Sequence, residues 1–364
     1  MVFNSIFFIF CFLPVFMLIY YLVPGKLRNL LLFLGSLIFY AWGEPVYVIL
    51  MLFSSIFNYY MGTELERLYY DDRKQKINLI FSIIINLAVL VFFKYYGFLL
   101  NTIGGIIGIH IPHPELSLPI GLSFYTFRNL SYLFDIYLSK VSAQRNFLTF
   151  AVYSTMFPYT SAGPIVRYTD IETQLKQRTI NISKFGIGAE LFVKGLAKKV
   201  LLADNLSVLY SSICGHPQMS VFTSWLGILA YTMQLYFDFS GYSDMAIGLG
   251  KMLGFDFNKN FDYPYISTSV SEFWRRWHIS LGSWFRDYIY IPLGGNRVST
   301  LKHIRNILVV WALTGLWHGA SWNFVLWGVY YGLFLLLEKF VLQKYLKKIP
   351  SWLCTVYTLS LIHI

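Results

Sequence analysis

The sequence has few charged residues. Asp, Glu, Lys and Arg make up 13% of its 364 residues, whereas they make up roughly 25% of a soluble globular domain. Hydrophobic residues make up 56%, which also excludes a disordered chain, because such chains combine low hydrophobicity with high net charge. A bilayer-spanning helix takes about 20 apolar residues, and we therefore expect an all-α polytopic membrane protein.

Cysteines and alternating polar residues are scarce as well. Cys11, Cys214 and Cys354 are far apart and match neither a metal-binding motif nor a disulfide framework, so we expect no metal site. The apolar runs are continuous, as in residues 80–93, whereas strands of a transmembrane barrel alternate apolar and polar residues. This continuity favours membrane-spanning helices.

The net charge of +11 does not indicate a nucleic-acid partner. The basic residues lie in short clusters between apolar runs, which is the pattern of cytoplasmic loops. Two such clusters, at residues 26–28 and 67–76, lie on either side of a connection that contains Glu44 and no basic residue. No Lys or Arg precedes Lys26, so we expect residues 2–23 to be an uncleaved span with the N-terminus outside the cytoplasm.

Other apolar segments predict further spans, at residues 30–42, 46–61, 77–100, 183–202, 224–237, 242–253, 307–317 and 322–337. Between residues 119 and 167, Pro and Gly interrupt the apolar segments, which predicts re-entrant or broken helices. The sequence has no internal repeat and no low-complexity linker. We therefore interpret residues 1–364 as a single membrane domain.

Four ionisable residues lie in apolar sequence, namely Lys94, Asp135, Asp238 and Asp244. Such residues cost roughly 2.5–3.5 kcal/mol at the centre of a span. They either lie near an interface and pair with one another, or they line a polar cavity, and the sequence leaves both interpretations open. Asp238 and Asp244 flank residues 239–243, which we interpret as a break between two helices, and this favours a cavity there.

Residues 271–291 form an unusual segment with apolar residues at steps of three and four. This pattern predicts an amphipathic helix that lies at a membrane surface or lines a cavity. Glu272 and Arg276 are spaced to form an ion pair between successive turns. His278 lies one turn from Trp274 and Leu281, on the apolar side, where it is either a structural residue or a functional one.

His318 interrupts an apolar run, and we expect it to be buried within the membrane thickness. A buried imidazole is uncharged and can accept a proton as a general base. The small residues around it, among them Gly315 and Gly319, leave room for a substrate or for a neighbouring helix. His318 is therefore either a general base or a residue that hydrogen-bonds across to another helix.

Eight stretches resemble the motifs of one protein family. They are YAWGEP at residues 40–45, LPIGLSFYTF at 118–127, GPIVR at 163–167, YFDFSGYSDMA at 236–246, NFDYPY at 260–265, EFWRRWHISL at 272–281, PLGGNR at 292–297 and LWHGASWN at 316–323. The sequence is similar to membrane-bound O-acyltransferases, and within them to the alginate O-acetyltransferase branch.

The resemblance implies a fold, an activity and a set of site residues. The fold is a ring of transmembrane and re-entrant helices around a central tunnel in a bacterial cell membrane. Acetyl-CoA is the implied donor, and an extracytoplasmic partner protein completes transfer to a polysaccharide or peptidoglycan. His318 is implied as the catalytic residue and His278 as a second functional histidine. Residues implied to line the tunnel or the substrate site are Trp274, Trp277, Arg276, Asp238, Tyr242, Asp244, Trp317 and Asn323.

The sequence departs from the family pattern in two places. Arg128 occupies a position where relatives more often carry Gln, so we assign it no role. Relatives continue through further C-terminal spans, and residues 359–364, LSLIHI, equal one translation frame of a transposon adapter used in sequencing libraries. We therefore hypothesise that the chain is truncated at its C-terminus and that these six residues are a sequencing artefact.

Two alternative functions remain open. The first is transfer of a D-alanyl or another acyl group to teichoic acid. The second is a non-enzymatic membrane transporter in which Asp238, Asp244 and His318 form a polar relay. The sequence also leaves the acceptor of an acetyl group open among alginate, another exopolysaccharide, peptidoglycan and a serine of a partner protein.

Overall fold

The computed structural model describes residues 1–114, 116–216 and 218–363, and all regular secondary structure in these residues is helical. The α-helices are α1 (Leu13–Leu22), α2 (Arg28–Ala41), α3 (Val48–Arg67), α4 (Asp72–Ile107), α5 (Leu122–Tyr137), α6 (Phe147–Thr155), α7 (Tyr168–Lys176), α8 (Ile182–Ala197), α9 (Asp204–Cys214), α10 (Val221–Met252), α11 (Val270–Arg276), α12 (Ile279–Phe285), α13 (Thr300–His318), α14 (Trp322–Leu337), α15 (Gln343–Leu346) and α16 (Ser351–His363). Short π-helical segments are Phe8–Phe12, Lys198–Ala203, Arg286–Tyr290 and Glu338–Leu342. The prediction of an all-α chain is confirmed. Ile364, the last residue of the predicted sequencing artefact, lies outside the described residues.

Three helical segments of the described chain are long and apolar enough to cross a membrane. They are α3, α4 and Trp322–Leu346, which joins α14 to α15 through a π-helical turn. The predicted spans at residues 46–61, 77–100 and 322–337 fall within these three segments. Two shorter apolar helices are Phe8–Leu22 and Ser351–Ile362. The structure therefore agrees with a membrane protein.

The chain divides into two compact units. The first unit comprises Met1–Tyr60 and Ala143–Asn260, and the second comprises Met61–Ser142 and Phe261–Ile362. The first unit contains α1, α2 and α6 to α10, and the second contains α4, α5 and α11 to α15. A single domain with a ring of helices around a tunnel stays a prediction.

The helices are interrupted between residues 119 and 167, where Pro and Gly predict it. In the first unit, α6 ends at Thr155 and α7 begins at Tyr168, with only a short 3₁₀ turn at Phe157–Tyr159 between them. In the second unit, α5 begins directly after Gly121, which has a left-handed backbone with φ 74°. Glycine tolerates this conformation because it has no Cβ atom.

Paired glycines bring α8 and α10 of the first unit into close contact. A Cβ atom on Gly195 would lie 2.5 Å from the carbonyl oxygen of Gly241, and one on Gly188 would lie 2.6 Å from that of Gly248. The two glycines on each helix are two turns apart, so they lie on one face. Small residues at this face let the two helix backbones approach each other.

The predicted break at residues 239–243 is wrong, because α10 is continuous from Val221 to Met252. In the sequence, Gly241 suggests a break in the helix, but in the structure it faces α8. Contact with α8 therefore explains this glycine, and the helix continues through it.

We expect Gly195→Ala to lower the melting temperature of the protein in detergent. The added methyl group meets backbone atoms of α10 that cannot move alone, and overpacking of this kind costs about 1–3 kcal/mol. Gly186→Ala is the matched control on the same helix, because a Cβ atom there meets nothing within 4 Å. The melting temperatures are measured by tryptophan fluorescence. Equal values for the two variants would contradict the close contact between α8 and α10.

The predicted amphipathic helix over residues 271–291 is also wrong, because the structure divides it at His278. α11 ends at Arg276, Trp277 has an extended backbone, and His278 is left-handed with φ 46° and ψ 54°. The chain therefore changes direction before α12 begins at Ile279. A repeat of apolar residues does not reveal such a turn, because the apolar pattern continues on both sides of it.

Candidate active site

Two histidines from different parts of the second unit line one cavity. The cavity has a volume of about 340 Å³ and is lined by residues of α11, α12, α13 and α14. His278 reaches it from the turn between α11 and α12, and His318 reaches it from the end of α13. The histidines that the sequence singled out are thus brought to the same site.

His278 is held firmly in the protein. It is only 3% exposed, and the Oγ atom of Ser280 lies 3.4 Å from its Nδ1 atom. Its carbonyl accepts hydrogen bonds from the N–H groups of Leu281 and Gly282, which starts α12. A residue other than glycine in a left-handed conformation costs of order 1–3 kcal/mol, and such strain is concentrated at functional sites.

His318 is open to the cavity. Its ring packs against Trp317 and Trp327, with centroid distances of 4.7 and 4.6 Å. Its ring is exposed in the folded chain, and its burial within the membrane thickness stays a prediction. α13 ends at His318 and the small residues Gly319 and Ala320 follow, which leaves one side of the ring uncovered.

The ring nitrogens of His318 have no hydrogen-bond partner among residues 1–114, 116–216 and 218–363. The alternative in which His318 hydrogen-bonds across to another helix therefore has no support in this part of the chain. Trp317 contacts both imidazoles, with ring centroids 5.9 Å from His278 and 4.7 Å from His318.

Of the predicted lining residues, Trp274 and Trp277 line the cavity. Trp274 packs edge-on against Trp311 and Tyr331, each with a centroid distance of 5.0 Å. Trp277 stacks on Phe273, with a centroid distance of 5.6 Å. Aromatic side chains that hold one another in this way give the cavity a fixed wall.

Arg276, Trp317 and Asn323 are not among the lining residues. The guanidinium of Arg276 donates to Glu272, with a distance of 2.8 Å between Nη2 and Oε1, and to the carbonyl of Asp262. The predicted pair between Glu272 and Arg276 is thereby confirmed, but it turns Arg276 away from the cavity. Asn323 is exposed near the start of α14, and Trp317 contacts the two imidazoles as described above.

Asp238, Tyr242 and Asp244 lie on α10 in the first unit. Asp238 pairs with Lys199 at 2.8 Å, and Asp244 pairs with Lys198 at 2.6 Å. Tyr242 hydrogen-bonds to Ser161. For both aspartates, the structure thus favours pairing.

The other two ionisable residues singled out by the sequence lie in the second unit. Asp135 is buried and accepts hydrogen bonds from Lys140 at 3.1 Å and from Tyr288 at 2.8 Å. Lys94, on α4, donates to the carbonyl oxygen of Trp317. The neighbouring Tyr95 donates to the carbonyl oxygen of Leu316. Both of these contacts are made at the end of α13, directly before His318.

The sequence interpretation missed several residues that line the cavity. Trp311 and Thr314 lie on α13, seven and four residues before His318. Residues three, four or seven apart share a helix face. Counting back from His318 in helical steps would therefore have found both of them.

A second cavity, of about 630 Å³, also lies in the second unit. It shares Ser271, Arg275, Tyr290 and three apolar residues with the first cavity, so the two adjoin. Its lining includes three cationic side chains, from Arg275, Lys339 and Lys347.

One carboxylate, from Glu338, also lines this second cavity. It is buried and accepts hydrogen bonds from the N–H groups of Val270 and Ser271, at 2.7 and 2.9 Å. These groups start α11, whose N-terminal end favours a negative charge. Three cationic side chains against this one carboxylate leave the lining of the second cavity with an excess of positive charge.

Comparison with known proteins identifies the family. The model of the membrane-bound O-acyltransferase family matches residues 42–350. The chain is 45% identical over 93% of its length to a probable alginate O-acetylase of Pseudomonas aeruginosa, and it spans 66% of that relative, or about two thirds. It is 34% identical over 99% of its length to a peptidoglycan O-acetyltransferase of Helicobacter pylori, and spans 76% of it. It is 29% identical over 67% of its length to a teichoic acid D-alanyltransferase of Bacillus subtilis, and spans 64% of it. The chain therefore belongs to the membrane-bound O-acyltransferase family, as its motifs predict.

Proposed function

We propose that the protein transfers an acetyl group from acetyl-CoA to a hydroxyl group of an exported polymer, in a bacterial cell membrane. The observation that carries this proposal is the single cavity to which both His278 and His318 contribute, with the His318 nitrogens left without a partner in the described chain. Family membership favours acyl transfer over a transporter. The N-terminus outside the cytoplasm and a central tunnel belong to the same proposal.

In the proposed reaction His318 acts as the general base. It takes the proton from the acceptor hydroxyl while the hydroxyl oxygen attacks the thioester carbonyl. The carbon–sulfur bond then breaks, the coenzyme A thiolate leaves, and the proton passes from His318 to the thiolate. Proton transfer by a positioned side chain contributes about 10²–10⁴ in rate, and holding donor and acceptor in one site contributes further through proximity.

His278 has a different proposed role. Its strained and buried backbone fixes the turn between α11 and α12, and its ring contacts Phe124 and Trp317. With Trp274 and Trp277, it shapes the part of the cavity that receives the acetyl group. No cysteine is among the lining residues of this first cavity, so we propose direct transfer without a covalent acyl-enzyme.

The second cavity suits the phosphate groups of the donor. Arg275, Lys339 and Lys347 line it, and cationic side chains attract an anionic substrate. Arg275 lines both cavities, so a donor whose phosphates lie near it can extend its thioester toward the histidines. Interfacial arginines also bind lipid phosphates, and the kinetic experiment below separates the two.

Relatives guide the proposed acceptor. The Pseudomonas aeruginosa relative is named for alginate and the Helicobacter pylori relative for peptidoglycan, so we propose a cell-envelope or exported polysaccharide. An extracytoplasmic partner protein that completes the transfer is part of this proposal. The D-alanyl alternative is less favoured, because identity to the Bacillus subtilis relative is 29%, against 45% for the alginate relative.

We expect the protein in lipid nanodiscs to release free thiol from acetyl-CoA when alginate oligosaccharides or peptidoglycan fragments are added. In Arg275→Gln, KM for acetyl-CoA should rise several-fold, to about tenfold, with kcat little changed. A lost hydrogen bond to a charged group weakens binding, and a loss shared by ground state and transition state raises KM alone.

Lys26→Gln, an exposed change far from the cavities in sequence, is the control. Absence of thiol release by the wild-type protein with both acceptors would contradict the proposed function. An unchanged KM in Arg275→Gln would assign this arginine to lipid and remove it from the donor site.

A further inference from the structure

The last turn of α13 is capped by another helix. The final carbonyl groups of an α-helix have no partner within the helix. α13 ends at His318, and Gly319 follows with an extended backbone of φ −168° and ψ 158°. The carbonyls of Leu316 and Trp317 accept hydrogen bonds from the side chains of α4 instead.

The two capping side chains are adjacent residues of α4. Lys94 donates to the Trp317 carbonyl, and Tyr95 donates to the Leu316 carbonyl. The C-terminal end of a helix carries partial negative charge, which favours a cation there. The Lys94 ammonium also lies 5.6 Å from the centre of the Trp317 ring, an arrangement that adds cation–π attraction.

Lys94 is a charged residue in an apolar helix, where its insertion into the membrane costs free energy. α4 is one of the three helices apolar enough to cross a membrane, and a lysine inside such a helix is rare and usually functional. Lys94 has no carboxylate partner in the described chain. Its hydrogen bond goes to the residue that directly precedes His318.

The same contacts fix the place of the His318 ring. Its neighbour Trp317 is held both by its carbonyl and by its ring, and α13 offers no further turn beyond His318 to hold it. Displacement of a reacting group by about 1 Å can reduce a rate by about 10²-fold. Loss of the cap would therefore affect catalysis more than binding of the donor, whose proposed site is at Arg275 of α11.

We propose that Lys94 and Tyr95 are positioning residues that clamp the end of α13 and thereby orient His318 for proton transfer. This inference rests on the proposed function of His318. The clamp itself is a structural arrangement, and it can be measured without any enzymatic assay.

The kinetic test uses Lys94→Met, Lys94→Arg and Tyr95→Phe. In Lys94→Met, kcat should fall about 10- to 100-fold with KM for acetyl-CoA unchanged, because a misplaced base slows the chemical step alone. Lys94→Arg should recover most of the loss, since a guanidinium also donates to a carbonyl. If Lys94→Met and Tyr95→Phe lower only the yield of folded protein and leave kcat per folded molecule unchanged, the proposal is overturned.

The structural test is hydrogen–deuterium exchange of the backbone amides of residues 311–319, in nanodiscs without substrate. Exchange should be faster in Lys94→Met and Tyr95→Phe than in the wild type, because the last turn of α13 is no longer held. Lys76→Met, an exposed change on the same helix, is the matched control and should leave exchange unchanged.

Tyr95→Phe keeps the test valid if Lys94→Met does not fold. Unchanged exchange in Tyr95→Phe and Lys94→Met overturns the clamp, whether or not the protein transfers acetyl groups. Faster exchange in a protein that releases no thiol supports the clamp and contradicts the proposed function alone.

Discussion

Replacing His318 with alanine is expected to abolish acetyl transfer while the protein still inserts and folds. The imidazole is the proton acceptor in the proposed reaction, and removing such a group costs about 10²–10⁴ in rate. Stability should change little, because the ring is exposed and has no hydrogen-bond partner in the described chain. Thiol release from acetyl-CoA in the presence of acceptor, measured on purified and monodisperse protein, provides the test.

A matched histidine controls for general effects of the substitution. His110 is exposed in the connection after α4 and does not line the cavity, so His110→Ala should retain wild-type turnover. Because the wild-type ring packs against Trp327, a comparison of melting temperatures shows whether the loss of activity is separate from a loss of fold. Retained turnover in folded His318→Ala would remove the central role of this residue.

His278→Ala is expected to lower turnover by about a hundredfold, the cost of a small displacement in a reacting site. This variant also lowers stability, because it loses the ring contacts of the buried His278. It keeps the left-handed backbone, which costs alanine roughly 1–2 kcal/mol, as it costs histidine. His278→Asn and His278→Gly separate the two effects, because both residues tolerate this conformation. Turnover and melting temperature are measured on all three variants.

The expected pattern is low turnover in all three His278 variants, with the melting temperature lowered most in His278→Ala. That pattern would assign the imidazole itself to the site. Turnover at the wild-type level in folded His278→Asn would instead limit His278 to the turn between α11 and α12. The left-handed backbone of this turn would then be the reason why His278 occupies it.

The sequence predicted residue identities at the site better than it predicted their surroundings. His278, His318, Trp274 and Trp277 were identified from motifs, and all four line one cavity. A family motif can be recognised residue by residue, because it is read directly from the sequence. Arg275 lines both cavities, whereas the neighbouring Arg276 is paired with Glu272, as the spacing of that pair predicted.

Errors arose where a local pattern had more than one three-dimensional explanation. Gly241 indicated a helix break, but it is the point at which α8 approaches α10. The apolar repeat around His278 indicated one helix, but the backbone turns there. A glycine can serve a turn or a close contact, and an apolar repeat continues through a turn, so neighbouring residues alone cannot choose between these outcomes.

The sequence by itself determined that this protein is a helical membrane protein and a member of an acyltransferase family. Hydrophobic composition decides the first, because apolar runs of this length are typical of helices that cross a bilayer. An ordered series of motifs decides the second. Tertiary structure alone decided that Lys94 contacts the residue before His318 and that His278 and His318 line one cavity. These contacts join residues that are distant in the chain, and their energies depend on which helix faces pack together.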